Sequence, residues 1–269
     1  MADRSALELP GWARGVLVIG DVHGHPDLFG AMLRLAAHEA RFVVSLGDLV
    51  DRGTDNAATV RQMLQVLAER RGLFIRGNHD DKLFRTLQGN PTVVDSDLAV
   101  TIEQLDAAAD SAFLKKGICE AYRTAPYLVC LGHTVMVHGA FAPAMSKSKT
   151  LPKKLRSLAI YGEATPDRIS KKPVRTYRWA ATVPARTTVV IGHHPISDET
   201  VLVQRNAAGG RVIHLDCGAG KGRGLGGLRL RPDGSVEDAC RAVRHRGEVT
   251  LEPAAFAPYS AIAAMEKIG

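Results

Sequence analysis

Three times in its first third the chain repeats one design: a short apolar run, a glycine-containing turn loaded with polar residues, then a helical pattern. Val16-Leu17-Val18-Ile19 enters Gly20-Asp21-Val22-His23-Gly24. Phe42-Val43-Val44-Ser45-Leu46 enters Gly47-Asp48-Leu49-Val50-Asp51-Arg52-Gly53, and Leu73-Phe74-Ile75 enters Arg76-Gly77-Asn78-His79-Asp80. Apolar runs that do not alternate with polar residues suit strands covered on both faces. Between them, residues 27–40 and 56–70 carry apolar side chains at helical spacing (Leu28, Met32, Leu35; Val60, Met63, Leu64, Leu67). Strands and helices alternating at this length argue βαβ units and a parallel sheet, so the expected fold class is α/β.

That expectation places chemistry. In an open parallel sheet the carboxyl ends of the strands form one edge, and ligands bind in the crevice there. Three separate turns therefore deliver Asp21, His23, Asp48, Asp51, Asn78 and His79 to one place, each turn opened by a glycine (Gly20, Gly47, Gly77) that lets the backbone leave the sheet sharply. Two later apolar runs add histidines, in Val137-His138-Gly139-Ala140 and Ile191-Gly192-His193-His194-Pro195. Carboxylate, imidazole and carboxamide without thiolate suit a pair of divalent ions of borderline hardness, such as Mn²⁺, Fe²⁺ or Zn²⁺.

The rest of the chain reads more coarsely. Residues 81–120 are expected to form a helical insertion, and strands are expected at 127–131, 135–137, 187–191, 200–203, 211–215 and 228–230. A lysine-rich loop (Lys147, Lys149, Lys153, Lys154), an irregular basic stretch over 168–178, and an alanine- and proline-containing tail over 252–269, with a short helix from Tyr259, complete the reading. No linker or abrupt change of composition divides the 269 residues, so a single domain is expected. No apolar run approaches the roughly 18 to 20 residues of a membrane span. Four scattered cysteines and no apolar leader point to the cytoplasm. The net charge of +7 leaves nucleic acid, a membrane surface and anionic substrates open.

Taken in order, Gly20-Asp-Val-His-Gly24, Gly47-Asp-Leu-Val-Asp-Arg-Gly53, Gly77-Asn-His-Asp80, Val137-His-Gly139 and Gly192-His193 resemble the five motifs of the calcineurin-like metallophosphoesterases. The Val50-Asp51-Arg52-Gly53 extension resembles the phosphoprotein phosphatase branch. Tyr161-Gly162-Glu163, Pro173-Val174-Arg175 and Gly192-His193-His194-Pro195 look like a bacterial subgroup of dinucleoside tetraphosphatase-like hydrolases and polynucleotide kinase-phosphatase modules. Departures are Ala140 for a usual glycine, Asp80 for glutamate, His194 for threonine, and residues 165–172, where the subgroup pattern is lost. No Walker A sequence is present.

The resemblance implies a four-layer α/β/β/α sandwich of two mixed sheets flanked by helices. It implies that Asp21, His23 and Asp48 hold one metal, with Asp48 bridging to a second completed by Asn78, His138 and His193. A hydroxide bridging the metals would attack phosphorus, because two dications acidify the water between them. His79, beside a ligand, suits the general acid, with Asp51 orienting its ring. Arg52, Arg76 and Arg175 would clamp phosphate with planar guanidinium forks. Glu163 and His194 stay open, as do the lysine run and the arginine-rich C-terminal region. The leading reading of substrate is a phosphoprotein, serine/threonine or tyrosine. A dinucleoside polyphosphate and a nucleic-acid 2′,3′-phosphate end are alternatives, and a metal-dependent scaffold or nucleic-acid binder is the non-enzymatic one.

Overall fold

The computed structural model describes residues 3–169, 172–197 and 199–259. Its first large sheet has six strands, in the order Glu248–Pro253 (β14), Val236–His245 (β13), Leu225–Leu230 (β12), Val16–Ile19 (β2), Phe42–Ser45 (β3) and Gly72–Phe74 (β4). The second has seven: Arg4–Ala6 (β1), Leu128–Leu131 (β5), Thr134–Val137 (β6), Thr188–Ile191 (β9), Arg211–His214 (β11), Thr200–Arg205 (β10) and Ala255–Pro258 (β15). β2, β3 and β4 run parallel, as do β6, β9 and β11, while β12 against β2 and β5 against β6 are antiparallel. Both sheets are mixed.

Period-two alternation stacks them. Val16, Val18, Val44 and Ile75 of the first sheet meet Val129, Met136, Val190 and Ile213 of the second in a shared core. Leu17, Ile19 and Val43 turn the other way, under the helices Pro26–His38 (α1) and Asn56–Ala68 (α2) and those of the insertion. On the far face of the second sheet, Val137, Val189 and Ile191 pack beneath the helix Lys153–Tyr161 (α6) and the turn carrying Trp179. The four layers, helices, sheet, sheet and helix, are those the motif resemblance implies. α1 and α2 begin within one residue of their expected starts, α1 on Pro26 and α2 on an Asp55 cap that accepts from the Ala58 N–H.

The insertion resolves into Asn78–Leu87 (α3), Ser96–Ala107 (α4) and Ser111–Thr124 (α5), a few residues longer at each end than expected. Several other segments differ from the sequence reading. Residues 168–178, expected to be irregular, lie largely in an antiparallel hairpin of Glu163–Ile169 (β7) and Lys172–Thr176 (β8). Lys153 and Lys154 open α6 rather than continuing a loop. Of the basic C-terminal residues, Arg241 and Arg244 lie on the strand β13 and Arg229 on β12, and the tail from 252 supplies the end of β14 and all of β15, which pairs parallel with β10. The short helix expected from Tyr259 falls on 260–269, outside the described residues.

Candidate active site

The parallel strands of both sheets end at the same edge. β2, β3 and β4 bring Asp21, His23, Asp48, Asp51, Asn78 and His79; β6, β9 and β11 bring His138, His193 and Asp216. His23, Asp48, Asp51, Arg52 and His193 all have positive φ, between 48° and 74°, without being glycine. Backbone held in this costly region by its surroundings is a mark of functional sites. Gly47 is left-handed as well, with φ of +97°. Gly77 is not; it is required by close approach, since a Cβ there would lie 2.2 Å from the Asp48 backbone nitrogen.

Among the described residues, two trios of donor atoms each lie within 4.8 Å of one another: His23, Asp48 and His79, and Asp48, His138 and His193. Asp48 belongs to both. The second group also contains Asn78, whose Oδ1 is 2.6 Å from His193 Nδ1 and 3.1 Å from His138 Nε2. Asn78, His138 and His193 are thus brought together around Asp48. His23 and Asp48 also come together, whereas Asp21 lies outside both trios, its two oxygens accepting from the His193 backbone N–H.

Backbone carbonyls fix the ring orientations. His23 Nδ1 donates to Val50 O at 3.0 Å and His138 Nδ1 to Leu46 O at 2.9 Å, leaving each Nε2 lone pair facing the cluster. Burial lowers the pKa of both imidazoles, that of His23 to about 3, and also that of His193, with help from His138 and Arg175. Burial raises Asp21, as do the neighbouring Asp216 and Asp48, and Asp216 is pushed up to about 6 by burial. Burial opposes the charge of Asp48 too, yet the surrounding imidazoles keep it below the ordinary carboxylate range. His193 Nε2 is buried and without a partner among the described residues. Neutral imidazole lone pairs, a carboxamide oxygen and crowded buried carboxylates form a donor set that fits borderline divalent cations.

His79 stands at the rim. Its Nδ1 is 2.6 Å from Asp51 Oδ2, and its backbone N–H donates to Asp48 Oδ1 at 2.8 Å. Burial disfavours charge on this ring, but Asp48 and Asp51 outweigh it and raise its pKa. Arg52 extends Nη1 to His23 Nε2 at 3.1 Å and Nη2 to His79 Nε2 at 3.0 Å, and its Nε lies 3.5 Å from Asp97. Arg175, on β8, donates to the Tyr161 carbonyl, and its charge bears on His138, His193 and His194. Arg76 is not brought to the site. Its Nε donates to Ala125 O, Nη1 to the Tyr127 hydroxyl and Nη2 to Arg123 O, with the guanidinium over the Tyr122 and Tyr127 rings. The phosphate clamp expected of it is therefore corrected to a structural brace, because carbonyls and rings of the neighbouring segment already hold its donors.

Of the residues left open, His194 Nδ1 is 2.8 Å from the Tyr177 hydroxyl, away from the trios, and Glu163 accepts from the Thr176 hydroxyl. Asp80 meets the backbone N–H groups of Gly77, Asp48 and Leu49 at 3.2, 2.7 and 2.9 Å, tying the β3 and β4 turns together. Burial and Asp48 push it up to about 7.

A family model of calcineurin-like phosphoesterases matches residues 15–216. The chain belongs to the calcineurin-like phosphoesterase family. It is accordingly a phosphoric ester hydrolase of a family that uses divalent metal ions. The bis(5′-nucleosyl)-tetraphosphatase PrpE (asymmetrical) of Bacillus velezensis is 28% identical over 232 residues, 79% of this chain and 88% of the relative. The protein of the same name from Bacillus subtilis is 28% identical over 231 residues, 79% of this chain and 89% of the relative. Among solved structures, a candidate diadenosine tetraphosphatase aligns with TM-score 0.59 at 18% identity, covering 90% of this chain and 98% of the other. A Saccharomyces cerevisiae protein serine/threonine phosphatase aligns at 0.54 and 13%, covering 97% and 86%. At these identities the structures speak for the fold alone. Among the described residues, no helix of this phosphoesterase is long and apolar enough to cross a membrane.

The motifs did not single out two residues of this site. Asp216 follows β11 as Asp21 follows β2, so an aspartate directly after an apolar run was the available signal. Thr101 of α4 donates to Asp51 Oδ1 at 2.6 Å, and no motif marks it.

Proposed function

We propose that this phosphoesterase, a single cytoplasmic domain, is a dinuclear enzyme that hydrolyses dinucleoside polyphosphates. Asp21, His23 and Asp48 would hold one ion and Asp48, Asn78, His138 and His193 the other, with Mn²⁺ favoured over Fe²⁺ or Zn²⁺ by the mixed oxygen and nitrogen donors. Bound there, such ions would polarise phosphoryl oxygens and acidify water. The observation that carries the reading is Asp48 shared by two donor trios, with the His79 imidazole held on Asp51 and Arg52 beside it.

The chain's own residues supply the rest. Arg52 and Arg175 flank the trios from opposite sides and orient the phosphoryl group. Asp51 holds the Nδ1 side of His79, so the proton given to the leaving oxygen comes from Nε2. Asp51 thereby positions the ring and supports its charge.

Two features favour a polyphosphate. The relatives matched over most of their length carry the tetraphosphatase name. The charges of Arg175, at the trios, and of Lys221 both lower the His194 pKa, so positive charge continues from Arg175 toward Lys221, where further phosphates would extend. The phosphoprotein reading rests on Val50-Asp51-Arg52-Gly53 and is the second choice; a nucleic-acid end rests on the +7 charge and on the resemblance of the subgroup motifs to polynucleotide kinase-phosphatase modules. Cys119, Cys130 and Cys240 are not joined in disulfides, which supports the cytoplasmic placement.

The test is one panel with Mn²⁺: diadenosine tetraphosphate, phosphoserine and phosphotyrosine peptides, and a 2′,3′-cyclic nucleotide. We expect kcat/KM for the tetraphosphate to exceed every other by about 10-fold or more, a difference of about 1.4 kcal/mol in transition-state stabilisation. A phosphopeptide turned over faster would overturn the choice of substrate.

A further inference from the structure

We infer that Thr101, in the helical insertion, is a positioning residue for proton donation, holding Asp51 so that His79 faces the leaving group. The inference rests on the reading of His79 as the general acid. Three observations carry it. The buried stripe of α4 is Leu98, Thr101 and Leu105, so a hydroxyl stands where packing alone calls for an aliphatic side chain. A threonine within a helix ordinarily bonds back to the carbonyl four residues earlier. Here Oγ1 lies 3.1 Å from Asp97 O but 2.6 Å from Asp51 Oδ1, and its single hydrogen goes to the nearer carboxylate. Thr101 and Asp51 are both wholly buried, so water does not compete for that bond.

The rest of α4 acts in the same direction. Gln104 accepts from the Asn56 backbone and side-chain N–H groups, and Asn56 Oδ1 in turn accepts from the Asp51 backbone N–H at 2.8 Å. Gln104 also donates to Thr54 O, and Asp97 lies near Arg52. Asp51 and Arg52 have φ of 74° and 69°, a turn that needs outside support. Thr101 fixes one carboxylate oxygen of Asp51 and leaves the other, Oδ2, for His79 at 2.6 Å. A free carboxylate would rotate about χ2 and lose the alignment.

Thr101→Val keeps the shape and removes the hydroxyl, and Thr101→Ser keeps the hydroxyl. In the Mn²⁺-loaded enzyme, Thr101→Val is expected to lower kcat about 10-fold on an alkyl phosphate, whose leaving group needs a proton, with KM and bound manganese unchanged. On p-nitrophenyl phosphate the loss should stay under about 2-fold. Thr101→Ser should recover most of the rate. The double variant Thr101→Val/His79→Ala should lose no more than His79→Ala alone, since an absent donor cannot be misplaced. Equal losses on both substrates, additive losses, or no recovery with serine would overturn the inference. If His79→Ala shows leaving-group dependence and Thr101→Val does not, this inference alone falls. If His79→Ala shows none, the general-acid reading falls and this inference with it.

Discussion

On one flank of Asp48 stand Asn78, His138 and His193; on the other stand His23, His79, Asp51 and Arg52. The first flank is fastened by main chain and by the closely stacked sheets: His138 by the Leu46 carbonyl, and His193 by its own N–H on Asp21. On the second, His23 is fastened likewise, through Val50. The other three depend on side chains: His79 on Asp51, Asp51 on Thr101, and Arg52 on two imidazoles with Asp97 nearby. A cation cage wants rigid geometry, and the strand ends provide most of it, with Asn78 added by the first residue of α3. A proton donor wants one ring nitrogen aimed at a leaving group, and here helix α4 of the insertion supplies the aim. The two flanks should therefore fail in different ways.

The largest effect should come from the residue they share. Asp48→Asn removes the carboxylate charge shared by the two trios and should lower turnover of an aryl phosphate by on the order of 10³-fold or more. Bound manganese, measured by atomic emission, should fall with it. Full turnover in this variant would break the dinuclear reading itself.

The next prediction separates the flanks. His138→Ala should deplete bound metal and lower rate together on every substrate. His79→Ala should keep the metal and lose about 10²-fold or more on poor leaving groups, with a smaller loss on good ones. Metal loss in His79→Ala would move that imidazole into the cage, as the close trio of His23, Asp48 and His79 allows.

The same division explains what could be read beforehand. Asp48, Asn78, His138 and His193 were legible because each follows an apolar run, and parallel strands of both sheets bring such positions to one edge whatever the side-chain detail. Thr101 was not legible, because its meaning lies in a contact across fifty positions and its helix carries no motif. The strand β13 read as a basic tail because its buried residues, divided between its two faces, are mostly small (Ala239, Cys240, Ala242, with Val243), while Arg241 and Arg244 intervene. The hairpin β7–β8 carries polar residues throughout and shows no periodic apolar face. Rotamers were least legible of all. Arg52 and Arg76 each lie within two positions of an expected ligand or catalytic residue, in a similar Gly-rich turn, and only the surrounding carbonyls and rings decide where a guanidinium goes.

That pair of arginines gives the last prediction. Arg52→Ala should cost about 10- to 100-fold in kcat/KM, by removing a planar donor beside the reacting phosphate, with folding stability little changed because the side chain is a third exposed. Arg76→Met should do the reverse. Methionine fills the space over Tyr122 and Tyr127, but it leaves Ala125 O, Arg123 O and the Tyr127 hydroxyl without their donor. Half-buried acceptors partly recover water, so the cost should be about 1–3 kcal/mol, read as a lower urea midpoint at unchanged slope. In the folded, metal-loaded protein kcat/KM should stay within about 2-fold of the parent, since no Arg76 donor is turned to the metal edge. A large loss of rate at full stability would return Arg76 to the phosphate, and would mean that the turn before Asn78 rearranges when substrate binds.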